Sequence, residues 1–220
     1  MIIEIDNVEL YFNNQPILNG IYLKAETGKI TGILGSNGCG KSCLLNIAFG
    51  NLKAKYSLIR INNTPILKRL YLTKLVSYLP QHHFIPNKMM IKTAFKLFKV
   101  DWDVFVNIFE TLTPYKNFYF KKLSGGERRI IEIYLTLKCP RKIVFLDEPF
   151  SHVAPLYIEK IKALIEEEKQ KKAIVITDHM YEHIISISDA IYLLKNGCTK
   201  LIDNVKELEN YKYLSMNSLD

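Results

Sequence analysis

The chemistry of this chain is concentrated in Gly35-Ser36-Asn37-Gly38-Cys39-Gly40-Lys41-Ser42, which fits the spacing G-x-x-x-x-G-K-[ST]. Ile30-Thr31-Gly32-Ile33-Leu34 before it reads as a buried strand, and Lys41 to Phe49 after it reads as a helix, the order a phosphate-cradling loop requires. Gly35, Gly38 and Gly40 are expected to let the backbone take positive φ and turn its N–H groups toward phosphate oxygens, and the helix N-terminus adds partial positive charge. Lys41 is expected to reach the β- and γ-phosphates of a nucleotide, and Ser42 its Mg²⁺. A Gly-rich turn that binds nothing has no need of the Lys-Ser ending.

A second pair, Asp147-Glu148, follows the continuous apolar run Ile143-Val144-Phe145-Leu146. Such a run suits a strand buried on both faces of a parallel sheet, and it delivers its carboxylates to the C-terminal edge where ligands gather. Downstream of a phosphate loop, Asp147 is placed to hold Mg²⁺ through water. Glu148 is placed to orient or deprotonate the attacking water, since phosphoryl transfer chiefly requires positioning and charge stabilisation.

Ser124-Gly125-Gly126-Glu127 satisfies the capping box S-x-x-E, and the periodic Ile130, Ile131, Tyr134, Leu135 and Leu137 continue it as a helix. A cap does not need two glycines, whereas a helix start with bare N–H groups beside a hydroxyl can receive an anion. With Leu123 these residues resemble the signature of the ATP-binding cassette (ABC) family. The resemblance implies an α/β P-loop NTPase of the ABC nucleotide-binding type, with N-terminal antiparallel β strands and a short helical subdomain. It also implies ATP and Mg²⁺ as cofactors and an ATPase that powers a separate transmembrane partner through ATP-driven dimer closure. In that homodimer, or heterodimer with another cassette, Ser124, Gly125 and Gly126 close over the γ-phosphate of the opposite subunit.

The likeness runs along nearly the whole chain. Gln81, after the strand Leu75 to Leu79, matches the family's Q-loop glutamine, and His179 of Thr177-Asp178-His179 matches its switch histidine. The resemblance therefore implies a catalytic set of Glu148, His179 and Lys41, and a metal set of Ser42, Gln81 and Asp147. Its nucleotide contacts are Gly35, Ser36, Asn37, Gly38, Cys39, Gly40, Lys41, Ser42 and Cys43, with Gln81 and the signature residues. Phe12 stands where a family aromatic stacks on adenine, and Tyr11 competes for that role. Within the family, Leu123 to Arg129 with Glu132-Ile133, Asp147-Glu148-Pro149-Phe150 and Ile176 to His179 are most similar to the ATPases of lipopolysaccharide export and branched-chain amino-acid uptake.

Two departures stand out. Ser151-His152-Val153-Ala154-Pro155 puts Ala154 where the family's D-loop ends in aspartate. Either His152 replaces part of its hydrogen bonding, or the cassette hydrolyses slowly and couples its two sites less tightly. Tyr134 and Leu135 replace small residues of the signature helix, which implies local repacking.

At 220 residues the chain suits one domain over 1–220, with a RecA-like core at about 1–80 and 123–220 and a helical subdomain at about 82–122. That insert is rich in aromatics, and helical spacing such as Phe95-Phe98-Trp102 assigns most of them to core. Some apolar surface near residues 81–105 is expected to remain for a transmembrane permease subunit to dock on. No stretch approaches the apolar length of a membrane span, and the chain opens on the strand-like alternation Ile3, Ile5, Val8, Leu10. These features predict a cytoplasmic protein held peripherally at a membrane by its partners. The net charge of +8 comes from scattered lysines without a basic stripe, so no direct nucleic-acid contact is expected. Four cysteines without paired spacing indicate neither a zinc site nor a disulfide framework, and Cys39 is either a low-pKa thiol beside the helix dipole or inert. Two rival readings are a soluble cassette acting on ribosomes or nucleic acid, and a weakly catalytic ATP-binding partner of another cassette.

Overall fold

The computed structural model describes residues 1–211 and 213–214. Strands β1 (Ile2–Phe12) and β2 (Gln15–Glu26) form a hairpin, followed by β3 (Ile30–Leu34) and helix α1 (Lys41–Phe49). After β4 (Tyr56–Ile61), β5 (Thr64–Pro65) and β6 (Val76–Leu79) the chain turns helical, with α2 (Ile91–Phe98), α3 (Trp102–Ile108) and α4 (Gly125–Lys138). Strand β7 (Ile143–Asp147), α5 (Pro155–Lys169), β8 (Ala173–Thr177), α6 (Tyr181–Ile187), β9 (Ala190–Lys195), β10 (Cys198–Ile202) and α7 (Glu207–Asn210) complete the order.

Two sheets result. The first is antiparallel, in the order β2-β1-β4-β5, and inward residues such as Ile3 and Ile5 alternate with more exposed ones. The second has the order β10-β9-β3-β8-β7-β6, parallel from β9 to β6 with β10 antiparallel at one edge. Every residue of β3, β7 and β8 is buried, as expected of strands covered on both faces. Alternate side chains enter different cores: Ile143 and Phe145 pack with α1 and the antiparallel sheet, whereas Val144 and Leu146 pack with the helical side.

Register makes this sheet a platform for chemistry. Leu79 lies beside Leu146, Leu146 beside Ile176, and Ile33 beside Thr177, so the strands end nearly level. The segments after β3, β6, β7 and β8 therefore emerge at one carboxyl edge, the usual place for ligands in such sheets.

On the helical side, Asp101 caps α3 by accepting N–H bonds from Asp103 and Val104. The ring of Trp102 meets Phe95 edge-on at 4.9 Å, and Phe105 packs on Tyr134 at 4.8 Å. Tyr134, where the sequence reading expects repacking, thus fills space among Phe95, Phe105 and Phe109. Phe95, Trp102, Phe105, Phe109 and Phe120 are buried, Phe84 and Phe98 are half-buried, and Phe118 and Tyr119 are exposed. Leu97 and Val104 remain exposed, so apolar surface is present near residues 81–105. No helix among the described residues is long and apolar enough to cross a membrane. The tail predicted to follow the short last helix lies partly outside the described residues.

Candidate functional site

Helix α1 starts from Gly40, whose φ of 108° places it in the left-handed region, and Gly38 at 79° lies there too, whereas Gly35, against expectation, does not and is a glycine because a Cβ would meet the Leu194 carbonyl at 2.6 Å. At Gly40 a side chain is excluded on two grounds, since its Cβ would also approach Leu18 to 2.9 Å. The Lys41 ammonium folds back across the loop and donates to the carbonyls of Gly35 at 2.6 Å and Ser36 at 3.2 Å. Ser36, Asn37 and Gly38 are exposed on the loop's crest, whereas Gly35 is buried and Cys39 partly so. Burial pushes the Cys39 thiol up, with Lys41 and loop N–H groups pulling the other way. The direction favours the inert alternative for Cys39, because loss of solvent around the sulfur outweighs the Lys41 charge and the loop N–H groups.

A cavity of about 540 Å³ opens above this loop, lined by Asn37, Gly38, Gly40, Lys41, Ser42 and Cys43 together with Gln81, Glu148 and His179. Residues as far apart in sequence as Asn37 and His179 thus meet at one sheet edge. Ser42 Oγ donates to Asp147 Oδ1 at 3.1 Å. Burial raises the Asp147 pKa, while the Ser42 and Tyr78 hydroxyls oppose that shift. The Gln81 amide donates to Glu148 Oε2 at 3.0 Å, which leaves its carbonyl oxygen as an acceptor. Hydroxyl, carboxylate and amide oxygens are the hard donors that suit Mg²⁺, so this set fits the expected ion.

Glu148 is held in a constrained backbone conformation, φ 50°, and its carboxylate also accepts from Ser151 Oγ at 3.3 Å. Nonglycine residues at positive φ carry strain and cluster at functional sites. His179 Nδ1 stands 3.7 Å from Glu148 Oε2 and 3.4 Å from Ser151 Oγ. Asp178, buried behind it, accepts N–H bonds from Phe150 and Met180 and so ties the end of β8 to the loop after β7.

The remaining predicted residues stand outside this cavity. Ser124 forms the expected capping box: its Oγ accepts from the Glu127 N–H at 3.3 Å, and Glu127 accepts from the Ser124 N–H at 2.7 Å. Ser124 and Gly125 are exposed, and a Cβ on Gly126 would meet the His152 carbonyl at 2.9 Å. Phe12 and Tyr11 are both exposed at the end of β1, and the Lys55 ammonium lies 5.1 Å from the Tyr11 ring. Ala154 occupies the N-cap position of α5 and offers no side-chain cap.

Sequence reasoning missed the charged residues that brace this edge. Arg129, only 2 % exposed, donates to the carbonyls of Pro80, Asp147 and Glu148 at 2.7, 2.7 and 2.9 Å. Glu132 is fully buried and accepts from the Phe84 and Ile85 N–H groups and from Arg128, with His83 Nδ1 at 2.8 Å. Both sit within the apolar stripe of α4, and a charge inside such a stripe is the signal that could have found them.

A family model described as ABC transporter matches residues 18–151. An uncharacterized ABC transporter ATP-binding protein of Methanocaldococcus jannaschii is 32 % identical over 213 residues, covering 90 % of this chain and 84 % of that protein. A spermidine/putrescine import ATP-binding protein of Mycoplasma mycoides is 29 % identical, covering 95 % of this chain and 63 % of that one. Among solved structures, an ATP-binding subunit of an ABC transporter superposes with a TM-score of 0.84 at 19 % identity, covering all of this chain and 97 % of the other.

Proposed function

We propose, on the premise that this chain belongs to the ABC transporter family, that Mg-ATP is bound and hydrolysed in the cavity above the phosphate loop. The chain is an ATP-binding subunit of an ABC transporter and carries that family's ATPase domain. The observation that carries the mechanism is the convergence of Lys41, Ser42, Gln81, Glu148 and His179 on one cavity at the carboxyl edge.

In this reading the loop N–H groups and the Lys41 ammonium hold the β- and γ-phosphates, the ammonium keeping a third donor beyond the two given to the Gly35 and Ser36 carbonyls. Ser42, Gln81 and Asp147 would hold Mg²⁺. When bound, the ion neutralises charge on the transferring phosphoryl group. Glu148 aligns a water with the γ-phosphorus and takes its proton as the O–P bond forms and the bond to ADP breaks. His179, beside that carboxylate, contacts the γ-phosphate. Phe12 or Tyr11 stacks on the adenine.

The exposed Ser124 and Gly125 support a dimer in which they cover the partner's γ-phosphate. The exposed Leu97 and Val104 support docking of a transmembrane permease near residues 81–105. That arrangement puts the chain at the cytoplasmic face of a membrane. The signature and Asp147 to Phe150 strings favour the lipopolysaccharide-export and branched-chain amino-acid subtype. The test is binding of a fluorescent ATP analogue and phosphate release by the purified chain with Mg²⁺. A chain that takes up no nucleotide would refute the reading.

Ala154 favours a second reading, a weakly catalytic cassette. Ala154→Asp supplies the missing cap on α5 and is expected to add about 1 kcal/mol of stability. A parallel rise in phosphate release supports the weakly catalytic reading. A shift of the urea midpoint with unchanged turnover confines this position to the helix start.

A further inference from the structure

Tyr78 and Asn46 close a ring of hydrogen bonds around Ser42 and Asp147. Tyr78 Oη donates to Asp147 Oδ2 at 3.0 Å, on the opposite oxygen from the one that accepts Ser42 Oγ at 3.1 Å. Asn46 Nδ2 donates to Tyr78 Oη at 3.0 Å and to the Ser42 carbonyl at 2.8 Å. The ring runs Ser42, Asp147, Tyr78, Asn46 and back to Ser42, and it joins helix α1 to strands β6 and β7. Ser42 and Asn46 are one helical turn apart, so both project from the same face of α1.

We propose that Tyr78, oriented by Asn46, is a positioning residue that fixes the Asp147 carboxylate for the divalent cation. The inference rests on the Mg-ATP reading above. A phenol has one proton, and here it goes to Asp147, so the Asn46 amide must be the donor on the other side. Each carboxylate oxygen of Asp147 is thereby committed to one hydroxyl, which fixes the plane of the group. Partners of this kind orient metal-binding carboxylates and set the metal's affinity. The Phe49 ring, 5.2 Å away, limits where the phenol can swing.

The same two side chains form part of the wall of a second, larger cavity of about 750 Å³, together with Phe84, Leu97 and Phe98. That cavity lies beside the surface assigned above to the transmembrane partner.

Tyr78→Phe removes the hydroxyl and keeps the ring. With the purified full chain and a non-hydrolysable ATP analogue, Mn²⁺ affinity read by electron paramagnetic resonance is expected to fall about 10-fold or more. Affinity for the analogue without metal should stay within about twofold, a split that a general loosening of the site does not produce. Unchanged Mn²⁺ affinity overturns the proposal, as does an equal loss with and without metal. Wild-type protein that binds no analogue at all sinks the Mg-ATP reading instead. Should Tyr78→Phe fail to fold, Asn46→Ala carries the test, with a smaller loss of Mn²⁺ affinity expected and no loss overturning it.

Discussion

Glu148→Gln is expected to slow ATP turnover by about 10²–10⁴-fold while ATP affinity stays near wild type. The argument is geometric. Glu148 Oε2 already gathers Gln81, Ser151 and His179 around one oxygen, and an amide of the same size keeps that packing while removing the charge and the basic oxygen. The left-handed backbone at Glu148 is also retained, so the variant changes chemistry with little change in shape. If two cassettes close on ATP, the same variant should elute as a dimer in Mg-ATP, because closure persists when hydrolysis is blocked. Turnover at the wild-type rate would remove Glu148 from this role. A variant that is slow but elutes as a monomer with Mg-ATP would leave the catalytic assignment in place and count against closure.

Arg129→Met is expected to cost about 3–5 kcal/mol of stability, read as a lower urea midpoint, and to abolish most turnover. Methionine has similar length and fills the space, so the loss comes from the buried Asp147 carbonyl and the part-buried Pro80 and Glu148 carbonyls losing their Arg129 donors and not from a cavity. The guanidinium's charge is favoured by the carboxylates of Glu132, Asp147, Asp178 and Glu148. Burial lowers its pKa while those carboxylates oppose the shift. Arg129→Lys keeps the charge but not the planar fork, and an intermediate loss is expected. A midpoint within experimental error of wild type would show that the carbonyls find other donors.

How far the sequence alone discloses this arrangement depends on the kind of interaction. The strand Ile30–Leu34 and the helix Lys41–Phe49 appear where the apolar run and the loop spacing put them. Ser124 and Glu127 cap α4 as their spacing requires, because a capping box is a local interaction between residues three apart. Gln81 and His179 belong to segments whose meeting with the phosphate loop depends on sheet order, and no local pattern contains that order. Family resemblance supplied it. Arg129 and Glu132 stayed hidden for a different reason: in a list of charges, Arg128-Arg129 reads as one more basic pair, and only the burial of the helix face separates a brace from a surface charge. Tyr78 reads simply as a strand aromatic, since nothing in Val76-Ser77-Tyr78-Leu79 reveals that its hydroxyl reaches Asp147.

Trp102, the chain's one tryptophan, is enclosed by Phe95 and Phe105 on the helical side of the central sheet. Indole emission is therefore a spectroscopic probe of that half of the molecule, while far-ultraviolet circular dichroism is dominated by elements on both sides. Recorded together through a denaturant titration, the two signals test cooperativity without any label: coincident curves mean that both halves unfold as one, and an earlier fluorescence transition means that the helical half lets go first.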